Sequence, residues 1–279
     1  MSIRIVTDSS CDLPDDLVKR WNIEIVPLTI RFDDKEFLDR VELPVEQFWD
    51  ECAASSVLPS TAAPSPEQFA TAYRRLREEG AEGIVVITLS SEISATFQSA
   101  ELAARDFDAI PVRVVDSRST TLGLGMIVLV AARSADGGAG LDDIEQATRD
   151  LSTRTRVFGA IDTLDNLKKS GRVSNAKAMF ATALSIKPLI EVKDGQVQQA
   201  GRQRTRSKAL AHVVARLAEH EGRIENLAVL HAHCDDVEAF VKMVEPYADG
   251  EVVVGEIGPV VGSHVGRGTI GVAFHEMPA

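Results

Sequence analysis

Apolar runs separated by charged or Gly- and Pro-containing stretches recur along the chain, and their periods predict its elements. Ile3–Thr7 is a short β-branched run that reads as a strand. A helix is then predicted to open around Asp12–Pro14, with Asp15 and Asp16 in its first turn, where carboxylates complement the helix dipole. Ile23–Pro27 reads as a second strand, and the short, charged, alternating stretch Leu28–Arg40 as a hairpin. Pro44 opens another helix. Ser65-Pro66-Glu67-Gln68 is a further helix start, with Ser as N-cap, Pro in the first turn and Gln three residues after the cap. Gly83–Leu89 and Pro111–Val115 are continuous apolar runs of the kind that form buried parallel strands. Helices are predicted to follow them at Ser94–Arg105 and Thr121–Ala135.

This alternation predicts an α/β domain built on a mostly parallel sheet. In such sheets ligands bind beyond the carboxyl ends of the strands. Three hydroxyl-rich turns occupy those ends: Thr7-Asp8-Ser9-Ser10, Ser90-Ser91 and Asp116-Ser117. They predict a single mouth lined by hydroxyls.

The Gly-rich break Ala135–Gly140 separates two helices, the second at Leu141–Leu151, and beyond it the texture changes. Arg156–Ala160 and Ser185–Val192 read as strands. Asp194-Gly195 is a hairpin turn signal between Leu189–Val192 and Gln196–Gln199. A long helix is predicted at Thr205–His220, then strands at Leu227–His231 and Glu251–Gly255 with a helix between them, then a terminal strand at Gly268–Phe274. The second half is therefore an α+β or α/β domain. The expected boundary lies near residue 153, giving an N-terminal α/β domain over 1–153 and a C-terminal α+β domain over 154–279. Neither an internal repeat nor a low-complexity tail is visible.

Composition narrows the function. The 279 residues are 44% hydrophobic and 26% charged, ordinary for a globular protein of about two domains. The net charge of −12 argues against a general nucleic-acid binder, which needs a basic surface. With 10 Phe, 2 Trp and 2 Tyr there is little material for base-stacking platforms. No uninterrupted apolar run reaches about 18 residues, so no membrane span is expected. The opening MSIRIVTDSS is too short and polar for a signal peptide. Cys11, Cys52 and Cys234 are odd in number, far apart and without a CxxC pair, which favours neither a disulfide framework nor zinc. A reducing cytoplasm is the expected location.

Nucleotide fingerprints are missing. GxxxxGK[ST] does not occur, Gly123-Leu124-Gly125 lacks a third glycine, and the run Gly258–Gly268 precedes a strand rather than a helix. These glycines read as turn residues. His231 and His233, followed by Cys234, Asp235 and Asp236, are either a metal-ligand pair on one strand face or a polar strand end. No second ligand motif supports them, so no metal is expected. GxSxG is absent, but Ser94 and His264, with Asp8 to orient the imidazole, remain open as a nucleophile and base.

What remains is a set of hydroxyls with one histidine. Thr61 lies in the Pro-flanked loop Pro59–Pro64, Ser94 at a predicted helix start, and His264 in the Gly-rich turn Gly262–Gly266. Such donors, with free N–H groups at a helix start, hold a small anion. Neutral donors suit a carboxylate that must also be released. Taken singly, Thr61 and Ser94 read equally well as caps and His264 as a turn residue.

At these residues the sequence resembles the DegV family. The matching segments are Ile5–Pro14, Ser60–Pro66, Ser90–Ala100, Val114–Ser117, Thr163-Leu164 through Lys169–Ser174, and Gly262-Ser263-His264. They run in order over nearly the whole chain. The resemblance implies two domains, the first with a parallel sheet, and a long-chain fatty acid bound between them as ligand, without a cofactor. It implies that Thr61, Ser94 and His264 contact the carboxylate. It implies no catalytic residue, but a carrier that presents the fatty acid to a separate ATP-using fatty acid kinase. The resulting acyl phosphate feeds phospholipid synthesis. An acyl-ester hydrolase using Ser94 and His264, or a lipid-sensing regulator, are the alternatives.

The sequence departs from the family pattern at Ala95 and Ser170, where Gly is usual, at Thr121 for Ser, and at Arg267 for Pro. Arg202, Arg204, Arg206 and Lys208 form a basic cluster on an acidic chain. The resemblance implies a kinase contact at Arg204, with Arg202 beside it. The other reading is a solvated helix start, although cations there oppose the helix dipole.

Overall fold

The computed structural model describes residues 2–55, 57–163, 166–167, 171–172 and 186–278. From the N-terminus, β1 (Ile3–Asp8) leads through a tight 3-10 turn to α1 (Asp15–Arg20), which opens after Pro14 and carries Asp15 and Asp16 in its first turn. Then come β2 (Glu24–Val26), β3 (Thr29–Phe32), β4 (Lys35–Leu38), α2 (Val45–Ala54), β5 (Ser60–Ala62) and α3 (Pro66–Glu78). The capping box at the start of α3 forms as the sequence predicts. Gln68 N–H donates to Ser65 Oγ and Ser65 N–H to Gln68 Oε1, satisfying two amides that the helix leaves free. The half closes with β6 (Gly83–Thr88), α4 (Thr96–Arg105), β7 (Val112–Asp116), α5 (Thr121–Asp136) and α6 (Leu141–Arg154).

The second half contains β8 (Thr155–Ala160), β9 (Lys187–Lys193), β10 (Gln196–Gln203), α7 (Arg206–Ala218), β11 (Ile224–His231), α8 (Val237–Val244), β12 (Val253–Glu256), α9 (Pro259–Val265) and β13 (Ile270–Glu276). Asp194 and Gly195 both take positive φ between β9 and β10, the conformation their hairpin signal implies.

Among the described residues the strands form three sheets. The first is four-stranded and parallel, in the order β2-β1-β6-β7. The second is six-stranded and mixed, in the order β10-β9-β8-β13-β11-β12, with β11 and β12 parallel and the other pairs antiparallel. A small antiparallel sheet, β4-β3-β5, completes the set. The α/β class expected from the alternation is met, with a parallel sheet in one half and a separate mixed sheet in the other.

α5 explains how the two large sheets meet. Thr121 through Leu129 are buried without a break. A helix that is apolar all round must be covered all round, and α5 packs on β1 and β6 of the parallel sheet and on β8, β11 and β13 of the mixed one. The layers therefore run α3 and α4, parallel sheet, α5 and α6, mixed sheet, α7 and α8. One hydrophobic cluster joins Ile5, Val85 and Leu129 of the first half to Ala228, Leu230 and Ala273 of the second.

The glycines of Gly123-Leu124-Gly125 correct the turn reading. They sit inside α5, where a Cβ at Gly125 would lie 2.4 Å from Cys11 O and one at Gly123 would lie 2.5 Å from Val157 Cγ2. Close packing, not turning, requires them.

Candidate functional site

A cavity of about 200 Å3 opens between the halves. Leu28, Leu89 and Ile93 line it from the first half, and Val197, Val260 and Val261 from the second. Its polar groups are Thr61, Ser94, Thr120, Arg172 and His264. A smaller space of about 40 Å3 shares Val197, Val261 and Val265 with it and adds Val157, Ile190 and Leu230. The structure thus brings Thr61, Ser94 and His264, widely spaced in sequence, to one mainly aliphatic space.

Each is positioned differently. Thr61 is the middle residue of β5 and pairs with Ile30 of β3. The Pro-flanked loop of the sequence reading is therefore partly a strand. His264 lies in α9, not in a turn. The Gly-rich run around it contains a short helix, opened by Pro259 in the first turn. Gly262 is small because α2 lies against it: a Cβ there would meet the rings of Phe48 and Trp49 at 3.0 Å. The Thr61 hydroxyl and His264 Nε2 are 3.0 Å apart. Ser94 precedes α4 by two residues rather than starting it, and its hydroxyl lies 2.8 Å from that of Thr96.

Electrostatics set the state of the histidine. Burial, and secondarily the Arg172 guanidinium, push His264 down to about 4, so the imidazole is neutral at neutral pH. Its Nδ1 is buried without a hydrogen-bond partner among the described residues. A neutral imidazole donates from one nitrogen and accepts at the other, so the Thr61 pair forms with either as donor.

The triad arrangement is not formed. His264 Nε2 pairs with Thr61, and the Ser94 hydroxyl with Thr96. Asp8 is occupied elsewhere: Oδ1 accepts from Ser10 N and Oγ, and Oδ2 from Leu89 N at 2.7 Å. Burial raises Asp8 to about 6 despite these bonds.

The hydroxyl-lined mouth also needs correction. Ser9, Ser10, Ser90 and Ser117 are buried, and their hydroxyls fasten the strand ends to one another. Ser9 Oγ accepts from Leu28 N, Ser90 Oγ donates to Gly195 O, Ser91 Oγ to Asp116, and Ser117 Oγ to Ser119 O. Buried hydroxyls need partners, and these find them in the loops. The layer supports the cavity wall at Leu28 and Leu89 instead of facing a ligand.

His231 ends β11, opposite Glu256 of β12, and His233 lies beyond it. His233 takes φ 52° and approaches Glu256 at 3.6 Å, while burial lowers the pKa of His231. Among the described residues no group of three or more His, Cys, Asp or Glu side chains is placed to hold a metal ion. Arg206 leaves the basic cluster. It grips Asp236 with two hydrogen bonds of 2.6 and 2.7 Å and donates to Gly268 O and Asp162. The Arg206 contact holds Asp236 below its usual carboxylate range. Arg202, Arg204 and Lys208 are exposed.

This geometry has close counterparts. The model of the DegV family ("Uncharacterised protein, DegV family") matches residues 2–277. The chain belongs to the DegV family. A DegV domain-containing protein of Mycobacterium tuberculosis is 38% identical over 278 residues, covering 98% of this chain and 96% of its own. A DegV family structure from Thermus thermophilus, described by its fatty acid binding, superposes with a TM-score of 0.90 at 34% identity, over 99% of this chain and 100% of that one. The Bacillus subtilis DegV, described as a fatty acid binding protein, gives 0.85 at 27% identity, over 99% of each. The resemblance read from the sequence segments is borne out.

Within this DegV frame the departures find their places. Ala95 is the N-cap of α4 and lines the cavity. Thr121 is buried at φ 49°, its hydroxyl beside Asp12. Arg267 is exposed between Gly266 and Gly268, both at positive φ, and does not line the cavity. Ser170 lies outside the described residues. Two features escaped the sequence reading. Arg172 faces the cavity beside His264 although its motif assigned it no role. Asp12 and Asp39 are buried, each pushed up to about 7 by loss of water. The acidic cluster at the DSSCD segment and Asp39 has no sequence signal beyond its apolar neighbours.

Proposed function

We propose that this DegV protein binds a long-chain fatty acid between its halves, its carboxylate on Thr61, Ser94 and His264 and its tail along the aliphatic wall. The observation that carries this is the Thr61–His264 pair, beside Ser94, in a cavity lined mainly by Leu, Ile, Val and Ala. Neutral hydroxyls and a neutral imidazole supply hydrogen bonds to a carboxylate without the grip of a buried arginine fork. Arg172, exposed at the cavity edge, adds a cation at the head-group end. Relatives described as fatty acid binding share the fold over almost the whole chain.

The protein then acts as a carrier, without a catalytic residue of its own. It hands the carboxylate to a fatty acid kinase, and the acyl phosphate formed there serves phospholipid synthesis. The missing nucleotide fingerprint supports this division of labour, and Arg202 and Arg204 are exposed for such a partner. The work is placed in the cytoplasm. No helix among the described residues is long and apolar enough to cross a membrane. The domain boundary is placed at residues 153–154, one residue before α6 gives way to β8.

Mass spectrometry tests the binding. The purified protein is weighed under native conditions and its small molecules are identified after denaturing extraction. A stoichiometric long-chain fatty acid supports the reading. A protein that is empty and takes up no added fatty acid overturns it. ATP-dependent formation of acyl phosphate with an added fatty acid kinase separates the carrier from a lipid-sensing regulator.

A further inference from the structure

Among the described residues, two buried side-chain hydrogen bonds cross from one half to the other, and each fastens the turn or helix that carries a polar residue of the cavity. The first belongs to Ser90, which is fully buried. Its carbonyl accepts from Ile93 N and Ser94 N, both at 3.2 Å, and so shapes the turn that carries Ser94. Its hydroxyl crosses the boundary and donates to Gly195 O at 2.7 Å, in the β9–β10 turn. That turn is fitted to the hydroxyl: a Cβ on Gly195 would lie 2.6 Å from Ser90 Oγ.

The second belongs to Asp12, held at φ 51° behind the 3-10 turn and buried. Its Oδ1 accepts from Gly258 N at 2.9 Å. Gly258 is the residue before α9, the helix that carries His264. The fit is again close. A Cβ on Gly258 would meet Asp12 Oδ1 at 3.0 Å, and one on Gly255 would meet Asp12 O at 2.7 Å.

The pattern is reciprocal. Ser94 belongs to the first half and its turn is tied to the second. His264 belongs to the second half and its helix hangs on a carboxylate of the first. Thr61 and His264 meet across the same boundary. Neither Ser90 nor Asp12 lines the cavity. A shift of one half against the other would break both ties and move His264 away from Thr61 and Ser94. Sites of this kind work only when supporting contacts hold the polar groups to a fraction of an ångström.

We propose that Ser90 and Asp12 are positioning residues for the head-group site, so that docking of the halves and binding of the head group are one linked equilibrium. The proposal rests on the fatty-acid reading given above. By linkage, a ligand that bridges the halves tightens their docking as much as docking tightens the ligand.

The test uses the full chain, stripped of lipid and labelled with 15N-histidine, as wild type, Ser90→Ala, Asp12→Ala and Asp12→Asn. Oleate affinity is measured by calorimetry, and the His264 ring resonances are recorded before oleate is added. Ser90→Ala and Asp12→Ala are expected to weaken oleate binding roughly fivefold to tenfold, each losing its buried hydrogen bond between the halves, and to move the His264 signals; Ser90→Ala also frees the Glu92 N–H that the hydroxyl accepts. Asp12→Asn keeps an oxygen that accepts the Gly258 N–H and is expected to restore both. Wild-type affinity with unmoved His264 signals in Ser90→Ala and Asp12→Ala overturns the proposal, even if both variants melt earlier. An Asp12→Asn protein as weak as Asp12→Ala also overturns it. If Asp12→Ala does not fold, Ser90→Ala, which removes a single atom, decides. Wild-type protein that binds no oleate overturns the fatty-acid reading instead, and the ring signals alone then decide the coupling.

Discussion

At the residue scale, the informative groups are those whose charge the fold suppresses. His264 is neutral because burial and Arg172 both oppose a second proton. Its folded pKa of about 4 lies below the ordinary histidine value of 6.5, so its contribution to stability is complete above 6.5 and is lost as pH falls toward 4. Asp39 runs the other way. Burial lifts it to about 7, so the native state holds its proton longer than the unfolded chain does. The associated stability is complete below the unfolded value of 3.8 and is lost as pH rises through about 7. Asp39→Asn removes that ionisation and is expected to stabilise the protein at pH 8 by on the order of 1–3 kcal/mol, with little effect at pH 4. Urea denaturation at the two pH values checks it, and equal effects at both would contradict the assignment. On the proposed function, Thr61→Ala and Ser94→Ala in the cavity would each remove one hydrogen bond to the carboxylate. Each is expected to weaken fatty-acid binding by roughly 1.5–3 kcal/mol, measured by titration calorimetry. His264→Ala should lose the lipid while keeping a cooperative melt.

At the element scale, the sequence spoke clearly wherever a local rule acted alone. The Ser65–Gln68 capping box and the Asp194-Gly195 turn formed as read because neighbouring residues alone decide them. β5 escaped notice because three residues between prolines carry no period; only pairing with β3 makes them a strand. α9 escaped because Gly262, Gly266 and Gly268 masked a helix, and Gly262 is chosen by the Phe48 and Trp49 rings rather than by its own backbone. The same holds for α5, whose glycines answer to contacts with residues far away in the chain. Gly125→Ala would raise local helix propensity, yet its Cβ would collide with Cys11 O and crowd Leu13. The expected result is a loss of about 1–3 kcal/mol, seen as a lower urea midpoint with an unchanged slope. A stabilised variant would show that the turn gives way easily.

At the scale of the whole molecule, strand–helix alternation revealed the class of each half but not how the halves meet. That depends on α5 being wrapped by both sheets, which its continuous apolar run hints at only once both partners are known. Because one cluster includes Ile5, Val85, Leu230 and Ala273, the halves are expected to melt together. Differential scanning calorimetry of the lipid-free chain should give a single endotherm. Bound fatty acid should raise its midpoint in proportion to the logarithm of ligand concentration. Two separated endotherms would mean that the shared cluster does not couple the halves. The candidate site was legible as a list of Thr61, Ser94 and His264, but not as a geometry. The Thr61–His264 contact joins positions on either side of the chain's middle, and the place of Arg172 at the cavity has no local sequence signal.

The cavity lining is also divided: Thr61, Ser94, Thr120, Arg172 and His264 supply its polar groups, and the remaining side chains are aliphatic. Each methylene withdrawn from water is worth about 0.8 kcal/mol, so a long tail outweighs any single contact at the head. For the fatty acid proposed above, residence time would then be governed by chain length, while neutral donors at Thr61, Ser94 and His264, with the Arg172 cation beside them, would hold the carboxylate end. Under the proposed function, such cargo would stay aboard while its carboxylate end is altered, and would depart on a clock set by its carbon count.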